Sequence, residues 1–112
     1  MHMIEAVIKP AALPGVKQKL SELGILGMTA LECKGYGKQK GHTERYRGGR
    51  MDVGFVPKVL LKIAVKSEDL DKTIEAIVST ARTGSVGDGK IFVRPLEKVV
   101  RIRTGESDEE AL

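Results

Sequence analysis

Gly84 to Lys90 spells G-S-V-G-D-G-K, which satisfies the phosphate-loop pattern G-x-x-x-x-G-K. Two features argue against that loop. A phosphate loop runs from a strand into a helix and ends in Ser or Thr for magnesium, whereas this one leaves a predicted helix, enters a predicted strand, and places Ile91 after Lys90. The physical content survives. Backbone N–H groups around Gly84, Gly87 and Gly89 can approach an anion closely, Lys90 adds a point charge, and Asp88 is an acceptor for a hydroxyl or amine. A plain glycine turn joining helix to strand accounts for the local pattern too. Further on, Arg101 and Arg103 lie two apart in a predicted strand, so both guanidinium groups are expected on one face and Val100 and Ile102 on the other. Two parallel forks suit a polyphosphate, and a solvated strand face explains the pair equally well in isolation.

A third stretch, Gly35 to Val56, holds six of the 13 glycines, five basic residues (Lys38, Lys40, Arg45, Arg47, Arg50) and two acids, with no sustained apolar period. It cannot pack as core. Structureless connections longer than about 12–15 residues are mostly functional or disordered. Ordering each backbone residue costs roughly 1–2 kcal/mol, so this loop is expected to need a ligand or partner to order it.

Catalysis and metal binding find little support. His2 is terminal, and His42 sits in the long loop without a nucleophile or paired carboxylate to work with. Two distant histidines and Cys33, the single cysteine, cannot supply three fixed ligands, and one cysteine excludes an internal disulfide. The formal charge of +4 hides an asymmetry: Glu106, Asp108, Glu109 and Glu110 crowd the last nine residues, leaving 19 basic against 11 acidic groups elsewhere. Such a body favours anionic ligands. Trp is absent and aromatics are 4%, which leaves little for a base-stacking surface. No apolar run approaches a membrane span and MHMIEAVIKP lacks a signal-peptide layout, so a cytoplasmic protein is expected.

These residues need a frame. Ile4 to Lys9 reads as a strand closed by Pro10; Leu13, Val16, Leu20 and Leu23 recur at helical spacing before Gly24, a C-cap glycine. Thr29 to Lys34 is a second strand feeding the loop. Val59 to Val65, VLLKIAV, is a third, following Pro57, and looks largely buried. Ser67 is a plausible N-cap for a helix whose apolar stripe is Leu70, Ile74, Ile77, Val78 and Ala81. Ile91 to Val93 makes a fourth strand, and Val99 to Ile102 a short extra one. The order βαββαβ predicts one α+β domain over residues 1–112, a ferredoxin-like sandwich with helices on one face of an antiparallel sheet. The long exposed loop, about 36–56, falls between strands 2 and 3, and an acidic tail spans about 104–112. The uncovered sheet face of so small a unit is expected to form a homo-oligomer interface.

An RNA-recognition module shares this element order, and Lys34-Gly35-Tyr36-Gly37 matches the first half of its signature K/R-G-F/Y-G/A-F-V-x-F/Y. The second half fails, because Lys38, Gln39 and Gly41 stand where aromatics and Val belong. KGYGKQKGHTERYRGG, FVPKV, ARTGSVGDGKIFV and VVRIRTGE together closely resemble the PII nitrogen-regulatory signal-transduction proteins over nearly the whole chain.

That resemblance implies a cytoplasmic homotrimer, not an enzyme. It implies ATP or ADP in clefts between subunits, 2-oxoglutarate bound with Mg-ATP, and an exposed loop that regulates an ammonium transporter or nitrogen-metabolism enzymes. By matching position it assigns the nucleotide pocket to Val7, Thr29, Gly35, Gly37, Lys38, Gln39, Ala64, Gly87, Asp88, Gly89, Lys90, Arg101 and Arg103. It assigns 2-oxoglutarate to Gln39, Lys40, Gly41 and Lys58, the side-chain ligand of Mg²⁺ to Gln39, and a channel-plug role to Arg47. Departures fall in or beside the loop: Met51 where many members have Tyr, Gly49 for Ala or Ser, Gly54 for Asp and Lys38 for Arg. A thioether has no proton to lose and forms no stable phosphodiester, so Met51 is not expected to accept a uridylyl group.

Overall fold

A computed structural model of the chain describes residues 1–37 and 54–112, and the backbone of 45–46 and 49–50. The elements follow in the order β1 (His2–Ile8), α1 (Leu13–Glu22), β2 (Thr29–Gly35), β3 (Arg45–Tyr46), β4 (Gly49–Arg50), β5 (Val56–Val65), α2 (Leu70–Ala81) and β6 (Gly89–Pro95). The main sheet has the order β2-β5-β1-β6 with every neighbouring pair antiparallel, and β3 with β4 forms a separate two-stranded ribbon. This is the expected ferredoxin-like sandwich.

Strand periodicity decides which residues meet the helices. On β1, Ile4, Ala6 and Ile8 alternate into the core, and the register sets them beside Ile63, Leu61 and Val59 of β5. Val16 and Leu20 of α1 and Ala76, Ile77 and Ala81 of α2 complete it. The end of α1 is fixed by a Schellman motif: Gly24 N–H donates to Ser21 O (3.0 Å) and Ile25 N–H to Leu20 O (2.9 Å), with Gly24 at φ 84°.

The run Val59–Val65 is largely buried as expected, with alternate residues in the core and Leu60, Lys62 and Ala64 half-buried on the helix-free face. That face also carries Leu31 and Phe92, each about half exposed, around a Glu5 carboxylate that accepts from Arg94 (3.0 Å) and pairs with Lys62 (3.6 Å). The strand also starts earlier, at Val56, and tolerates Pro57 because β1 stops pairing at Val59, so the missing N–H falls where only β2 lies alongside. Ser67, finally, does not cap α2. It opens a 3-10 turn (Ser67–Asp69), and its Oγ accepts from the Met1 ammonium (3.0 Å).

The predicted strand at Val99–Ile102 does not form. Gly105 (φ 77°) reverses the chain, Gly105 N–H donates to Arg101 O (2.7 Å), and Val100 makes a single bridge to Ser107. The acidic tail folds back along this segment into a 3-10 turn, Asp108–Ala111.

Candidate functional site

The glycine turn between α2 and β6 is held by its own Asp88 and Thr83 and by Lys9 from the far end of the sequence. Asp88 closes it: one oxygen accepts the N–H groups of Thr83 (2.7 Å) and Gly84 (2.9 Å), and the other accepts the Thr83 hydroxyl (2.5 Å). Lys9, just beyond β1, lies 3.2 Å from the same carboxylate and donates to Ser85 Oγ (3.1 Å). The Thr83 hydroxyl, then the backbone donors and Lys9, hold the Asp88 carboxyl well below the usual carboxylate range. The sequence-level role of Asp88, an acceptor for a hydroxyl or amine, is thus taken up within the protein.

Lys58 enters the same region from β5. Its residue is 5% exposed, and its ammonium donates to Gly87 O (2.5 Å). Burial, followed by the charge of Lys9, lowers its pKa from the ordinary lysine value. Gly35, at the end of β2, is packed against it: a Cβ there would lie 3.1 Å from Lys58 Cγ. Gly89 is required by closer approach still, since at φ 112° its Cβ would fall 1.8 Å from Val7 O. Lys90 follows opposite Val7 on the helix-free face. Gly84, Gly87 and Gly89 all adopt positive φ. Val7, Gly35, Lys58 and Gly87 to Lys90 therefore gather at one end of the sheet.

Thr29, Ala64 and Arg101 gather at the other end, in a cleft of about 1080 Å³ that Met28, Ala111 and Leu112 also line. Lys58 and Ala64 are six residues apart on β5, roughly 20 Å at about 3.3 Å per residue. The assigned pocket residues thus fall in two groups at opposite ends of the sheet. The arginine pair is not the parallel fork expected from a strand. Arg101 is half-buried and bonded to Glu106 Oε1 (3.2 Å) and Ala111 O (3.3 Å), whereas Arg103 is exposed in the turn closed by Gly105.

At the root of the long loop, Tyr36 leans on Gly54: a Cβ at Gly54 would lie 1.7 Å from the Tyr36 ring, whose centroid is 5.5 Å from that of Phe55. The departure from Asp at this position is therefore matched by the placement of Tyr36. Gly37 is described as an exposed bend, while Lys38, Gln39, Lys40, Gly41, Arg47 and Met51 lie outside the described residues. Lys9 and Thr83 escaped the sequence reading. Thr83 sits five residues before the Asp88 it bonds, a local signal that was available, but Lys9 is 79 residues away.

A four-stranded antiparallel sheet with two helices on one face, and a glycine turn at one end, defines a small α+β domain of the ferredoxin-like class. Residues 1–106 match the family described as Nitrogen regulatory protein P-II. Proteins called Nitrogen regulatory protein P-II from Pasteurella multocida and Haemophilus influenzae are 55% and 54% identical over 112 residues. Nitrogen regulatory protein P-II 1 of Escherichia coli K12 is 51% identical. Each alignment spans all of both chains. The chain belongs to this family, whose members are regulators of nitrogen metabolism and not enzymes.

Proposed function

We propose that this chain is a cytoplasmic sensor of energy and nitrogen status, a homotrimer that binds ATP or ADP between subunits and 2-oxoglutarate together with Mg-ATP. The observation that carries this reading is the split of the pocket residues between the two ends of the sheet. Within one protomer a nucleotide would have to run the length of the sheet to touch both. Between protomers that join through the helix-free face, the Gly87–Lys90 turn of one meets the Thr29–Ala64–Arg101 cleft of the next. The half-exposed Leu31 and Phe92 favour burying that face. Among the described residues no cluster of His, Cys, Asp and Glu could hold a metal. In this proposal Mg²⁺ comes with the nucleotide's phosphates, and Gln39 is the side chain we assign to it.

In this proposal Gln39, Lys40, Gly41 and Lys58 hold 2-oxoglutarate. The basic loop docks on an ammonium transporter or a nitrogen-metabolism enzyme, Arg47 serving the transporter, and the protein reaches the membrane only through such a partner. Calorimetry with ATP and ADP, alongside light scattering, tests the reading: saturable binding by a trimer is expected, and a monomer that ignores both nucleotides would sink it. Gln39→Ala should weaken 2-oxoglutarate far more than ADP. A filter assay should retain no single-stranded RNA at physiological salt; retention would favour the RNA-binding alternative.

A further inference from the structure

The acidic tail is not held out in solvent; it lies on the arginine that the cleft offers to a ligand. Arg101 donates through one terminal nitrogen to the Glu106 carboxylate (3.2 Å) and through the other to Ala111 O (3.3 Å). A guanidinium grips phosphate bidentately along one of two edges, and each edge includes a nitrogen engaged here. The contact is braced on both sides. Thr104 Oγ1 donates to the same Glu106 oxygen (2.9 Å), Arg101 N–H donates to Glu106 O (2.9 Å), and Asp108 ties the tail to Val99 through N–H to O (2.7 Å) and Oδ1 to N–H (3.2 Å). Asp108 does this at φ 56°, a backbone conformation uncommon for a residue with a side chain. Ala111 and Leu112 then line the cleft itself.

We propose that the tail acts as an intramolecular competitor, with Glu106 standing in for a ligand's phosphate on Arg101, so that a polyanion must displace it to bind. This rests on the nucleotide reading above for the natural ligand, though not for the chemistry. Besides occupying the guanidinium, the tail holds Glu106 and Asp108 against the cleft residues Arg101 and Val99, and Glu109 and Glu110 directly precede Ala111, which lines the cleft. Charges within about 8 Å are incompletely screened at physiological salt, so this group repels an incoming polyphosphate. Both partners of the Arg101–Glu106 pair are roughly 40% exposed, which limits the pair to the strength of a surface ion pair.

The test compares wild type with Glu106→Gln and Glu109→Gln, titrated calorimetrically with ATP, ADP and inorganic tripolyphosphate. Glu106→Gln keeps an acceptor for Thr104 and loses only the charge, so the fold should persist, as a melting curve would check. It should tighten ATP, ADP and tripolyphosphate about two- to fivefold, the range that an exposed ion pair is worth. Glu109→Gln, exposed on the same tail, should change them by less. Unchanged or weaker binding by Glu106→Gln would overturn the proposal, as would an equal gain from Glu109→Gln, which would mean a diffuse field and no contact competition. If wild type ignores both nucleotides yet tripolyphosphate binds and tightens in Glu106→Gln, the competition stands and the nucleotide reading fails. Binding of none of the three probes by either protein overturns both.

Discussion

Replacing Gly89 by Ala should be the most disruptive single-methyl change at the glycine turn, and its size follows from two separable costs. The first is steric. The new Cβ would sit 1.8 Å from Val7 O and 2.9 Å from Val7 C, both backbone atoms of the adjoining strand, so β1 and β6 must part at the pair Ile8–Gly89. Overpacking of this kind costs about 1–3 kcal/mol. The second is conformational: φ 112° is poorly tolerated by a residue with a Cβ and adds about 1–3 kcal/mol. The sum, about 2–6 kcal/mol, is a large part of the 5–15 kcal/mol that a domain typically holds. At about 4 °C per kcal/mol for 112 residues, Tm should fall by about 8–24 °C. Gly84→Ala is the control, because Gly84 has φ 91° but nothing within 4 Å of its would-be Cβ. It should lose only the conformational part, about 4–12 °C. Thermal unfolding followed by circular dichroism at one fixed protein concentration makes the comparison. A Gly89→Ala Tm equal to or above that of Gly84→Ala would refute the assignment of Gly89 to close approach.

Leu20→Ala should cost about 2–5 kcal/mol by urea unfolding, because Leu20 is fully buried between α1 and the sheet; a loss under 1 kcal/mol would mean that the helix lifts away easily. Asp88 has a folded-state pKa depressed below its unfolded value, so its stabilisation is present above about pH 4 and is lost as pH falls towards the folded pKa. Asp88→Asn should therefore be less stable than wild type at pH 7 and flatten the stability curve on its acid side; parallel curves for the two would contradict the network at Thr83 and Gly84. Protein purified from nitrogen-starved native cells should show an unmodified intact mass, because Met51 offers no phenolic oxygen. A uridylyl-sized adduct lost on Tyr46→Phe would overturn that expectation.

The sandwich was legible because its signals are local. The strand run Ile4–Lys9, the Leu13–Leu23 stripe and the Gly24 cap each act within a few residues, and the structure places a strand, a helix and a helix end there. The failures share a different cause. Val99 to Ile102 alternates like a strand, but its fate depends on Gly105 and on the tail partners Ser107 and Asp108, which no strand pattern reports. Likewise the turn's glycines were visible in spelling, whereas Lys9 reaches Ser85 across 76 residues, so its part in shaping the turn is a product of the fold. Val59–Val65 was legible as a largely buried strand, although its composition does not say that in this protomer helices cover only one of its faces.

The register Gly35 opposite Val56 holds the two roots of the long loop about 5 Å apart, by a ladder that continues through Lys34–Pro57 and Cys33–Lys58. The hairpin is therefore a socket: whatever sequence joins residue 35 to residue 56 starts and ends at a fixed doorway that the core maintains without it. Loop closure grows only logarithmically, and doubling the connecting length costs only about 0.6 kcal/mol. As far as closure of the chain is concerned, segments of very different length can be exchanged at this point with little effect on the sandwich, so what the loop must keep is set by its ligands and partners and not by the fold.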